Sequence, residues 1–217
     1  MKGWRMDITI RPAVKEDAKP VAELIYLATL ANAPVSALDI MFRESREQVL
    51  ENIAWMFLNV EDNLNHYSRC LVAEIDGRVA SSLYLNTREN DTLPVWRRTF
   101  HGMGYGDIEI LGMLWRIRSY YRVKPSFLKG SLVIDNVATF PEFRRKGSVH
   151  LLFGRARDFA REKGFPRMEL ECQLGNTAAR KAYEKEGFVV TTEKTHPSWE
   201  RTFGTPGVMR MTLELDT

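Results

Sequence analysis

The sequence predicts one α/β domain built around a mixed β-sheet, and three observations carry that prediction. Leu132 to Thr139 is apolar and β-branched on both faces, as a strand buried in the middle of a sheet must be. Val149, Leu152, Phe153, Ala156, Phe159 and Ala160 then recur at helical spacing, so an amphipathic helix follows the central strand. Further strand and helix patterns lie on either side, with no repeat, linker or low-complexity segment to divide the chain.

The elements follow in order. Ile8 and Ile10 share a face of a first strand, Asp7 to Arg11, which Pro12 is expected to end. Val21, Leu24, Ile25 and Ala28 form the buried stripe of a helix from Glu16 to Ala31. Asn32 to Arg43 shows no regular pattern. Ser45 and Gln48 then resemble a capping box, opening a helix from Arg46 to Val60. Asn59 to Ser68 reads as a loop. Cys70 to Ile75 and Arg78 to Leu85 are strand-like, and Asp76-Gly77 between them suits a type I′ hairpin turn. Asn86 to Gly130 interleaves aromatic residues with arginines. Its Ile108, Leu111, Trp115 and Arg118 hint at a helix, and the segment reads as a helical insertion that closes over a site or makes a subunit contact. Arg167 to Gln173 alternates, with Glu169, Glu171 and Gln173 on one face. Asn176 caps a helix to Glu186, and Gly187 stands where a helix-ending glycine belongs. Phe188 to Thr192 is a strand, Lys194 to Gly207 a long polar loop, and Val208 to Leu215 the last strand.

Composition narrows the function classes. The 217 residues suffice for one domain with a substantial core, and 44% hydrophobic with 27% charged residues is ordinary for a globular chain. A net charge of +3 suits an anionic ligand, but no Lys/Arg block is long enough to argue for nucleic acid. Cys70 and Cys172 sit in apolar segments and read as small buried side chains. His66, His101, His150 and His196 are scattered, so no metal site is expected. No signal-peptide core or bilayer-length apolar run is present, which makes a cytoplasmic protein away from the membrane the expectation.

Between the central strand and its helix lies Arg144-Arg145-Lys146-Gly147-Ser148. A basic turn at a helix N-terminus presents unpaired N–H groups to an anion such as phosphate, although the same residues also suit a solvated surface turn. Two separated stretches, Asp135 to Ser148 and Asn176 to Phe188, resemble the GNAT superfamily of acyl-CoA-dependent N-acyltransferases. The first is similar to that family's fourth strand and its coenzyme A loop. The second is similar to its Asn…Ala…Tyr…Gly-Phe helix. Val149 departs, standing where the family pattern has Gly or Ala.

The resemblance implies a mostly antiparallel sheet flanked by helices, with the insertion before the fourth strand. It implies acetyl-CoA as cosubstrate and a primary amine, small-molecule or peptide, attacking the thioester directly in a ternary complex. It places pyrophosphate on Arg144, Arg145, Lys146, Gly147 and Ser148, and the pantetheine arm on the backbone of Val137, Ala138 and Thr139 and on Asn176. Tyr183 becomes the candidate acid for the departing thiolate, with a core tyrosine as the alternative. Asp135 is the candidate base, or else a carboxylate paired with an arginine; Glu109, Glu171 and His101 are fallbacks. A homodimer is compatible with the insertion. The rival functions are a non-catalytic acyl-CoA-binding or regulatory module and, from the basic surface, a nucleic-acid binder.

Overall fold

The computed structural model describes residues 7–31 and 33–215. Alternating and β-branched runs form the strands β1 (Ile8–Pro12), β2 (Cys70–Ile75), β3 (Arg78–Asn86), β4 (Leu132–Thr139), β5 (Arg167–Gln173), β6 (Val189–Thr195) and β7 (Gly207–Glu214). They join in one sheet of order β1-β2-β3-β4-β5-β7-β6. The β4–β5 pair is parallel; the other pairings among the described residues are antiparallel. Pro12 does not end β1 but closes it, opposite Leu71, because β1 is an edge strand where a missing N–H costs no ladder bond. Asp76 and Gly77 both have positive φ, 51° and 74°, the conformation that a type I′ turn requires.

Helices cover both faces. On one lie α1 (Ala18–Leu30), α2 (Ala37–Phe42), α3 (Arg46–Leu58), α4 (Leu93–Gly102) and α5 (Asp107–Arg116). Their core joins Ile25, Met41, Ile53, Phe57 and Phe100 to Val72 and Tyr84 of the sheet. On the other face α7 (Ser148–Glu162) packs Leu152, Phe153 and Ala156 against Ile134 and Leu170, with Tyr183 from α8 (Thr177–Lys185) in the same cluster. The remaining helices, α6 (Arg118–Val123) and α9 (Pro197–Phe203), form a third cluster in which Trp199 and Phe203 meet Tyr120 and Val123.

Two segments expected to lack regular structure hold short helices. In Asn32 to Arg43, Ser36 caps α2 by accepting from Leu38 N at 3.1 Å, and Asp39 returns a bond from Ser36 N at 3.0 Å. Asn32 itself lies outside the described residues. In Lys194 to Gly207, β6 runs on to Thr195, the His196 side chain caps α9, and Pro197 occupies its first position. A seven-residue helix is too short to stand alone. Burying Trp199 and Phe203, 2% and 1% exposed, offsets that deficit by roughly 2–3 kcal/mol each. The insertion is helical as expected, but α5 is turned around. Ile108, Leu111 and Trp115 are 86%, 66% and 63% exposed, while Ile110 and Met113 are buried.

Candidate active site

The site originates in a defect of the sheet. β4 and β5 stay in register only at Leu132–Met168, Val133–Glu169 and Ile134–Leu170. Beyond that point they part, and a cleft of about 1620 Å³ opens along the split. β4 also carries a bulge. Ser82 pairs with Ala138 and Tyr84 with Asp135, so Leu83 faces two residues, Asn136 and Val137. The extra residue bends the strand at Asn136, whose φ is 48°. Asparagine is among the few non-glycine residues that enter this region readily, and its amide is tied to Asn65 Oδ1 at 2.9 Å.

Asp135 and Glu171 are the first residues past the last parallel pair. Ile134 and Leu170 face α7, so strand alternation turns these two carboxylates toward the α1 face. Among the described residues Asp135 meets no arginine; it accepts a bond from Asn86 Nδ2 at 3.0 Å. Burial raises its pKa, against the opposing effects of Asn86 and Lys124. Burial likewise raises the Glu171 carboxyl to about 7; Lys124 opposes this and the neighbouring Asp135 adds to it. Lys124 is half-buried and ion-paired with Asp91; burial lowers its pKa and the two carboxylates resist. The Tyr120 hydroxyl is held protonated by burial and by the same two charges. Nothing in the sequence distinguishes Lys124 from the other basic residues around it.

At one end the cleft meets the N-terminus of α7. The first backbone bond there runs from Leu151 N to Gly147 O at 3.2 Å, so the N–H groups before Leu151 lie outside the helical ladder. Arg145 and Gly147 have φ of 62° and 87°, and a Cβ at Gly147 would have no atom within 4 Å. The side chains divide. Arg144, Arg145 and Gly147 line the cleft. Lys146 does not, and its ammonium sits over the Phe143 ring at 5.1 Å. Ser148 lines it too, but its hydroxyl turns inward to Ser81 Oγ at 2.7 Å, and Ser81 reaches Thr139 Oγ1 at 2.9 Å. Those hydroxyls tie β3, β4 and α7 together, leaving the backbone to face a ligand. Basic residues beside a helix N-terminus, with room above Gly147, fit a pyrophosphate.

Val137, Ala138, Thr139, Asn176 and Tyr183 all line the cleft. Asn176 caps α8 by accepting from Ala179 N at 3.2 Å. The Tyr183 ring packs edge-on to Phe153 at 5.8 Å, and burial raises its pKa, so the phenol stays protonated at neutral pH. If that proton assists the departing thiolate, Tyr183→Phe will lower kcat toward the low end of the roughly 10²–10⁴-fold range of acid catalysis, with acetyl-CoA affinity unchanged. Wild-type turnover would leave Tyr183 as packing. The two outer fallbacks lie elsewhere. Glu109 accepts from Gly106 N at 2.8 Å at the start of α5, and His101 pairs with Asp107 at 3.0 Å; both are exposed.

A family model described as the acetyltransferase (GNAT) family matches residues 35–188. The chain belongs to the GNAT acetyltransferase family. The GNAT cosubstrate is acetyl-CoA. No curated protein sequence matches the chain. Solved structures share its fold at low identity. An N-acetyltransferase from Staphylococcus aureus Mu50 is 20% identical, with 94% of this chain and 100% of that chain covered and a TM-score of 0.68. A putative acetyltransferase from Salmonella typhimurium, solved with acetyl-CoA, is 18% identical, covers 96% and 94%, and has a TM-score of 0.56. A Drosophila melanogaster polyamine N-acetyltransferase that forms N-acetylagmatine is 16% identical, covers 96% and 100%, and has a TM-score of 0.56. No helix among the described GNAT residues is long and apolar enough to cross a membrane.

Proposed function

We propose that the protein transfers the acetyl group of acetyl-CoA to a primary amine that enters from the α1 face. The observation that carries this reading is the pair of carboxylates at the fork, with Glu171 titrating near neutrality. A general base works best when its pKa lies near the working pH. Acetyl-CoA supplies the thioester. The α7 N-terminus with Arg144 and Arg145 binds its pyrophosphate, and the unpaired edge of β4 from Val137 to Thr139 receives its pantetheine arm. Glu171, with Asp135 beside it, takes the proton of the incoming ammonium, directly or through a water. Asn86 holds Asp135 in place, and Tyr183 hydrogen-bonds the leaving sulfur.

Release of free thiol from acetyl-CoA against a panel of primary amines at mildly alkaline pH tests the activity. Turnover should rise with pH through about 7 as Glu171 ionises. No amine-dependent thiol release would leave a binding module. Cofactor binding has its own check. Coenzyme A at roughly 100 times its Kd should stabilise the fold by about 2.7 kcal/mol, raising Tm by roughly 5–10 °C for a chain of this size. An unchanged Tm at millimolar coenzyme A would remove the cofactor site.

A further inference from the structure

The cleft passes through the sheet, and its far half is a chamber built from α2, α4, α5, α6 and α9. Met41, Trp96, Phe100, Ile117, Tyr120 and Trp199 line it. From this chamber, and resting on the N-acetyltransferase reading, we infer that the acceptor is a primary amine with one positive charge on an apolar, aromatic or alkyl body, and not a polyamine.

Charge placement decides between the two. An incoming ammonium meets Asp135 and Glu171 side by side at the fork, where adjacency makes the pair one cation site and not two separated by an alkyl chain. A second ammonium, one alkyl chain away, would need a second free carboxylate in the chamber. Among the described residues the one positioned there, Asp91, is ion-paired with Lys124 and accepts from Trp96 Nε1 at 2.8 Å. Glu89 also lines the cleft but is exposed at its rim, close to the Arg88 and Lys129 charges. The polar Asn65 amide is engaged with Asn136. A buried ammonium without a carboxylate carries a large desolvation cost, whereas an aromatic or alkyl body gains from contact with these walls.

The test measures kcat/KM for 2-phenylethylamine, hexylamine, putrescine and spermidine with acetyl-CoA. Calorimetry of 2-phenylethylamine and spermidine binding to the coenzyme A-loaded protein accompanies it. The expected result is a preference of roughly tenfold or more for both monoamines, about 1.4 kcal/mol, with the same order in binding. Equal or better use of putrescine or spermidine overturns the inference, as does binding of neither amine. Tight 2-phenylethylamine binding without acetyl transfer upholds the chamber assignment and overturns the catalytic reading instead.

Discussion

Glu171→Gln is expected to lose turnover and gain stability at once. The amide cannot accept the proton of an ammonium, so kcat at about pH 8 should fall by roughly 10²–10⁴-fold, the usual worth of a positioned base. Stability moves the other way. Burial raises the folded-state pKa of Glu171 from 4.5 to about 7. Between those values the native protein holds a proton that the unfolded chain has released, so stability falls as pH rises from about 4.5 to about 7. Above that window the wild type carries an ionised carboxylate in a buried site, its cost partly offset by Lys124. Replacing it by a neutral isostere removes that cost, and Tm at about pH 8 should rise by roughly 2–6 °C. At about pH 4 the gain should vanish. A carboxylate kept only for structure would lose Tm along with activity. Unchanged turnover in Glu171→Gln would pass the base role to Asp135.

Gly147→Asp is expected to weaken cofactor binding on the order of 100-fold, far more than it weakens the fold. Space is not limiting, since nothing lies within 4 Å of the position a Cβ would take. The φ of 87° strains any L-residue by roughly 1–2 kcal/mol. Aspartate tolerates that region better than most and interacts favourably with a helix N-terminus. The new charge instead opposes the phosphates. Two like charges about 5 Å apart at an effective dielectric near 20 repel by roughly 3 kcal/mol, or on the order of 100-fold in Kd. Coenzyme A titration by calorimetry, beside a melting curve without ligand, separates the effects. Wild-type affinity would reduce the loop to a turn.

Much of this site was legible because its chemistry depends on backbone and local pattern. The central strand, the basic turn and the Asn176-to-Phe188 helix are contiguous in sequence, and each announces itself by periodicity or by a cap. The acceptor side was not legible. α2 and α9 are six and seven residues long, too short for a periodic stripe, and are held by side-chain caps and by Trp199 and Phe203. In α5 the helical spacing was readable but its orientation was not. Ile108, Leu111 and Trp115 form as good a stripe as Ile110 and Met113, and only tertiary packing chooses between them. Glu169, Glu171 and Gln173 put three polar residues on one face of an interior strand, a pattern that singles out Glu171 more sharply than Glu109 or His101. Their fates differ. Glu169 is fully buried, accepting from Leu128 N at 2.7 Å, whereas Glu171 and Gln173 line the cleft.

The three-pair seam between β4 and β5 has a mechanical consequence. The sheet is two leaves, β1 to β4 and β5 to β7, stitched along a short spine. Past the last stitch, backbone groups on the inner margins have no strand opposite them and must look for partners elsewhere. A slender ligand bonded to both margins would act as a removable eighth strand, so amide exchange along the seam is expected to slow when it binds.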